Sequence, residues 1–177
     1  MAAHEEEARL VERAQAGDRD AFTLLVERYQ QRLGGYLFHL LGERDLALDL
    51  TQDTFVRAYT ALPATRPGLA VRPWLFRIAT NLAYDVLRRR RRIAWVPLSL
   101  AENRARDESA PLEEQELVRL ALQRLRPADQ VVLVLCGIED QSYAEAASAL
   151  ETTPDAVRKR LSRAKAQFRA AYAQLSV

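Results

Sequence analysis

From Phe22 to Leu41, apolar side chains recur at spacings of three and four: Phe22, Leu25, Val26, Tyr29, Leu33, Tyr36, Leu37, Leu40 and Leu41. That period belongs to one face of a helix, not to an alternating strand. It predicts a long amphipathic helix whose core face is already marked. The pair Gly34-Gly35 is a place for a kink, and Gly42 a place for the end. Upstream, residues 5–16 read as a short helix. Gly17-Asp18-Arg19-Asp20 breaks it, with Asp20 as the expected N-cap of the long one.

A third helix is expected from Asp45 to about Leu62. Its inner face would be Ala47, Leu50, Thr51, Thr54, Phe55, Ala58 and Leu62, and its outer face Asp49, Gln52, Asp53 and Arg57. Pro63 to Pro73 is rich in proline and reads as a loop. Trp74 to Arg92 reads as a fourth helix, with Trp74, Ile78, Leu82 and Val86 inward and five arginines, Arg88 to Arg92, at its end. Pro97 to Pro111 is polar and aperiodic, as interdomain linkers are. Further helices are expected near 112–125, 127–137, 142–150 and 154–173. Val131 to Leu135 has strand propensity but no partner strand, and Pro127 and Gly137 bracket it like helix ends. The expected fold is all-α. Two small helical domains, 1–92 and 112–177, flank a flexible linker over 93–111.

Charge is unevenly spread. Residues 63–92 carry eight basic side chains against one acid, while 1–62 and 93–117 are each net acidic. Alternating zones of this kind point to more than one charged partner. A single cysteine, Cys136, excludes an intramolecular disulfide, fits a reducing compartment and is expected to be a small buried hydrophobe. The acidic start Met1–Glu7 does not read as a signal peptide, no run is long enough for a membrane span, and no C-terminal sensory extension is expected. His4 and His39 stand alone, and no phosphate loop, metal-ligand spacing or nucleophile elbow occurs. The pairs Glu113-Glu114 and Glu139-Asp140 read as solvated carboxylates at helix edges. No catalytic role, metal or cofactor is expected.

Nucleic acid is the better-supported ligand. Ser142 and Glu145 form a capping box ahead of an alanine-rich run that ends at Leu150. After the turn Glu151-Thr152-Thr153, Thr153 suits an N-cap and Pro154 the first helical position. Val157, Leu161, Ala164, Phe168 and Tyr172 then mark a buried side, leaving Arg158, Lys159, Ser162, Arg163 and Lys165 outward. A capped helix, a turn and a basic amphipathic helix make the layout of a helix-turn-helix, whose ligand is the major groove of DNA. Arg88 to Arg92 can hold phosphates; the alternative is a solvated helix end, but five in a row exceed what a helix end needs. Arg77, Asn81 and Arg88 can share one face of that helix. Trp74 could stack an unpaired base, though a tryptophan so placed is more often core.

In order and spacing these strings resemble bacterial RNA polymerase sigma factors of the extracytoplasmic-function class of the sigma-70 family. Ala21 to Tyr29 looks like the family's opening helix, and Asp49-Leu50-Thr51-Gln52-Asp53-Thr54-Phe55 like its polymerase-binding helix. Arg72 to Asp85, followed by arginines, looks like its promoter-melting helix. Ser142 to Glu145 and Val157 to Ala164 look like its helix-turn-helix. The resemblance implies a cytoplasmic, non-catalytic promoter-specificity subunit that joins the nucleoid with polymerase. Asp49, Gln52 and Asp53 would meet the β′ clamp helices of core polymerase. Trp74, Arg77, Asn81 and Arg88, Arg89, Arg90, Arg91 and Arg92 would engage the minus-ten element, with a base flipped into a pocket beside the loop Pro63–Arg72. Arg158, Lys159, Ser162 and Arg163 would read the minus-thirty-five element, with the second domain near the β flap. An anti-sigma partner is implied too. Departures from the pattern are Leu48 for an acid, Ala146 for a larger aliphatic, Glu151 for the turn glycine and Ala156 for a threonine or serine. The competing expectation is a helix-turn-helix regulator that does not replace the sigma subunit. Such a protein needs neither the acidic face at Asp49 nor the helix around Asn81.

Overall fold

The computed structural model describes residues 2–93 and 114–176. Among them every regular element is a helix: α1 (Ala2–Gln15), α2 (Arg19–Leu41), α3 (Arg44–Ala61), a 3-10 turn (Leu62–Ala64), α4 (Val71–Ile93), α5 (Glu114–Gln123), α6 (Pro127–Gly137), α7 (Tyr143–Ala149) and α8 (Pro154–Leu175). Beyond Ile93 the expected linker lies outside the described residues.

The long helix runs without a break through Gly34-Gly35. Its N-cap is Asp18, not Asp20: the Asp18 carboxylate accepts from the Ala21 amide at 3.0 Å. Asp20 instead sits in the first turn, where its charge suits the helix dipole. Gly42 closes the helix at φ +73°, a left-handed turn that glycine adopts without strain. Leu33, Tyr36, Leu37 and Leu40 are completely buried. The predicted inner face of α3 is buried throughout, and Asp49, Gln52, Asp53 and Arg57 are exposed. Thr51 and Thr54 bury their hydroxyls by donating to Ala47 O and Leu50 O, both at 2.7 Å.

α4 starts at Val71, before Pro73, which takes a first-turn position where no amide bond is lost. It is buried on more than one side. Val71, Trp74, Leu75, Phe76, Ala79, Leu82 and Ala83 are buried, whereas Ile78 and Val86 are half-buried. α2 packs against α1, α3 and α4, and α8 packs against α5, α6 and α7. These two groups also meet: α7 lies on α4, and α5 and α6 lie on α2. One core runs through both, from Leu10 to Leu161. Val131 to Leu135 is helical, as expected, within α6. Cys136 is partly buried against the core, and that burial raises its thiol pKa.

Leu37→Ala should lower stability by about 2–5 kcal/mol, the range for a buried leucine that leaves a cavity. Denaturant unfolding of the two proteins measures the difference, and a loss below about 1 kcal/mol would contradict the packing described.

Candidate nucleic-acid and polymerase interface

The helix-turn-helix forms as its local chemistry dictates. Ser142 Oγ accepts from the Glu145 amide at 3.2 Å, and Glu145 Oε2 accepts from the Ser142 amide at 2.9 Å, closing the capping box. Thr153 Oγ1 accepts from the Ala156 amide at 3.2 Å and caps α8, with Pro154 next. Val157, Leu161 and Ala164 are buried, and Phe168 and Tyr172 are partly so, their rings 6.0 Å apart. Ala146 is fully buried, so its small side chain lets α7 sit close to its neighbours. Arg158, Lys159, Ser162 and Arg163 all face outward. Arg158 and Lys159 both reach Asp155, at 2.6 and 2.8 Å. Hydrogen bonds from Lys159 and then Arg158 hold the Asp155 carboxyl below the usual range. The basic face therefore carries a buttress at its own N-terminus.

In α4 the rotation is set from inside. Thr80 Oγ1 donates to Phe76 O at 2.6 Å, so the 2.6 Å bond between Tyr36 and Thr80 is donated by Tyr36. Burial raises the Tyr36 pKa above the usual phenol range. The neighbouring residue, Asn81, is exposed and Arg77 half-buried. Trp74 is only 8% exposed and packs into the core, so its ring face is not open for stacking. It lines a cleft of about 350 Å³ with Arg66, Leu69, Arg77 and, from α7, Ser148. Thr80, Asn81 and Tyr84 line a second cavity, of about 280 Å³, whose other wall includes Leu150, Glu151 and Arg160.

The arginine run divides. Arg88 pairs with Asp85 at 2.6 Å, and Arg89 is exposed. Arg90 turns back onto α2, donating to Leu41 O and Glu43 at 2.7 Å each. That is an anchoring role for Arg90. The side chains of Arg91 and Arg92 lie outside the described residues.

Several residues carry contacts that sequence reasoning did not assign. Glu139, read as a solvated edge carboxylate, is buried and sits 3.5 Å from Arg32 of α2. Arg72 pairs with Glu145 at 3.2 Å, and its guanidinium also donates to Glu139 O at 2.5 Å. Arg77 pairs with Glu151 at 2.9 Å. Gln130, buried, donates to Leu40 O at 2.9 Å. All cross from one group of helices to the other. No local pattern encodes such pairs. Glu151 alone carried a signal, as a non-glycine residue at a turn that takes φ +51°.

Burial raises the Glu139 pKa, against the opposing pull of Arg32. The native chain thus holds that proton more tightly than the unfolded one. Stability relative to Glu139→Gln should therefore fall as pH rises from about 4.5, the ordinary glutamate value. Unfolding midpoints of both proteins across about pH 4 to 8 test it, and a wild-type stability that rises relative to Glu139→Gln with pH would contradict it.

Residues 25–93 match Sigma-70 region 2, and residues 115–168 match Sigma-70, region 4. Over 170 residues the chain is 33% identical to the ECF RNA polymerase sigma-E factor of Haemophilus influenzae, spanning 88% of this chain and 89% of that one. It is 31% identical over 171 residues to the RNA polymerase sigma factor CarQ of Myxococcus xanthus, spanning 94% and 98%. The solved structure of CnrH in complex with the cytosolic domain of CnrY superimposes with a TM-score of 0.74 at 30% identity, over 93% of this chain and 95% of that one. Both halves match in order and whole relatives align along their length: the chain belongs to the sigma-70 family of RNA polymerase sigma factors, in its extracytoplasmic-function class.

Proposed function

We propose that this chain directs promoter-specific initiation by binding core RNA polymerase and engaging two promoter elements, with melting at the downstream one. The observation that carries the reading is the separation of surfaces: a carboxylate face on α3, cations and Asn81 on α4, and a basic face on α8. A carboxylate face repels phosphate and complements a basic protein, so Asp49, Gln52 and Asp53 are assigned to the β′ clamp helices. The segment 1–92 is the polymerase-binding and minus-ten unit, 93–111 the linker, and 112–177 the minus-thirty-five unit. The second unit would also approach the β flap.

Arg77, Asn81, Arg88 and Arg89 are assigned to minus-ten DNA, with Arg91 and Arg92 alongside. Trp74 shapes the cleft wall beside them. A flipped base bound in that cleft would offset the cost of unstacking. Arg158, Lys159, Ser162 and Arg163 would enter the major groove of the minus-thirty-five element, as recognition helices do. The family acts in initiation without chemistry of its own, so no cofactor is invoked. No described helix is long and apolar enough to cross a membrane. The family acts on cytoplasmic RNA polymerase, and on this reading the chain would join the nucleoid when polymerase-bound. An anti-sigma protein that covers these surfaces is the expected regulator.

In vitro transcription with core enzyme, with start sites mapped, tests the whole reading. Specific transcripts should require this chain; equal specific transcription by core alone would overturn it. Asp49→Lys with Asp53→Lys should weaken core binding at least about tenfold, a loss of roughly 1.4 kcal/mol. Asn81→Ala should leave core binding intact and slow open-complex formation, read by permanganate footprinting. Arg158→Ala and Lys159→Ala should each reduce the salt slope of minus-thirty-five binding by about one where they touch phosphate.

A further inference from the structure

Residues 65–70 join the 3-10 turn to α4 and, with Trp74 and Arg77, line the cleft assigned to a flipped base. Few points fix their backbone. Leu69 is half-buried against the core, while Arg66, Pro67 and Gly68 are exposed and Gly68 takes φ +72°. Between Gly68, Leu69 and Ala70 and the Ala8, Val11 and Glu12 side of α1 lies a cavity of about 210 Å³, so close packing on α1 does not hold this part of the loop. The tie to α1 is polar and comes from one side chain. Gln15 Nε2 donates to Thr65 Oγ1 at 2.8 Å and to Arg66 O at 3.1 Å. An amide nitrogen carries two hydrogens, so both bonds form together. Thr65 Oγ1 gives its own proton to Leu62 O at 2.6 Å, which leaves it the acceptor toward Gln15. Among the described residues, no other side chain from outside the loop hydrogen-bonds to 65–69.

α1 is docked so that this amide keeps its place. Leu10, Val11 and Ala14 are buried, and Gln15, four residues after Val11, stands half-buried at the rim of that face. Arg13 pairs with Asp18, the N-cap of α2, at 2.6 Å, and Tyr29 of α2 donates to Glu7 at 2.5 Å. Gln15 lies ahead of residues 25–93, which match region 2. We infer that Gln15 is a positioning residue for minus-ten recognition: through Thr65 and Arg66 it holds the loop wall of the cleft in the place a flipped base needs. This role rests on the assignment of that cleft to a flipped base. Gln15 itself touches no DNA. It keeps the loop arranged beforehand, so base capture does not carry the cost of ordering it.

The experiment uses the full chain bound to core polymerase and the non-template strand of a promoter whose start site has been mapped. Fluorescence anisotropy reads affinity for the intact oligonucleotide and for a series in which an abasic site replaces each minus-ten base in turn. In the wild type, the captured base is the position whose removal costs most affinity. Gln15→Ala should lower affinity for the intact strand about fivefold, the size of one net hydrogen bond. With the abasic site at the captured position, Gln15→Ala and wild type should bind alike, since no base is left for the wall to hold. Gln15→Glu keeps the length of the side chain but puts a carboxylate oxygen where the donor stood, and it should reproduce the loss. Core affinity, governed by the Asp49 face, and helical content by circular dichroism should match the wild type in both variants. Unchanged affinity of both variants for the intact strand overturns the role of Gln15 and leaves base capture standing. An equal loss on intact and abasic strands also overturns it, because a merely structural defect weakens both alike. If no abasic site weakens the wild type, the assignment of the cleft fails and the role of Gln15 falls with it.

Discussion

The buried bond from Tyr36 to Thr80 sets the rotation of α4, and the rest of the candidate surface follows from that rotation. Thr80 passes its own proton to Phe76 O, so the donor of the buried pair is settled and neither buried hydroxyl is left without a partner. The Tyr36 ring meets Phe76 edge-on with centroids 5.0 Å apart. With that face of α4 turned to α2, Asn81 must point outward and Arg77 must lie at the rim. A rotation of one residue, about 100° on a helix, would bury Asn81 against the leucines of α2.

Most of the fold was legible because helix-forming information is local. Apolar spacing marked α2 and the inner face of α3, and the cap residues Ser142, Glu145, Thr153 and Pro154 marked the helix-turn-helix. Local competition explains the small misses. Asp18 and Asp20 are both good caps, and only the chain's path after Gly17 selects Asp18. In α4 periodicity placed Trp74 and Leu82 inward correctly, but apolar residues surround much of the helix, so it could not say that Ile78 and Val86 are only half-covered.

The packing of one half on the other was not legible, and the reason is physical. Gln130 to Leu40 O, Arg72 to Glu145 and Arg77 to Glu151 join residues separated by 73 to 90 positions. Each side chain, read in its own helix, has the composition of an ordinary solvated face. Glu139 is the clearest case, since a carboxylate beside Asp140 at the end of α6 carries no sign that Arg32 and Arg72 will cover it. The candidate site was thus readable as separate surfaces and unreadable as an arrangement.

Glu151 tests how firmly that arrangement is held. A non-glycine residue in the left-handed region costs of order 1–3 kcal/mol. An exposed ion pair returns only about 0–1 kcal/mol. The Arg77–Glu151 contact therefore does not offset the strain of the residue that makes it, and the packing of the two groups of helices rests on the buried Gln130 bond to Leu40 O and the apolar core they share. That bond lies toward α2, away from Asn81. The end of the interface that covers the proposed base-capturing surface is thus its weakest end. Separation of the two groups of helices would begin there, without first breaking the packing against α2.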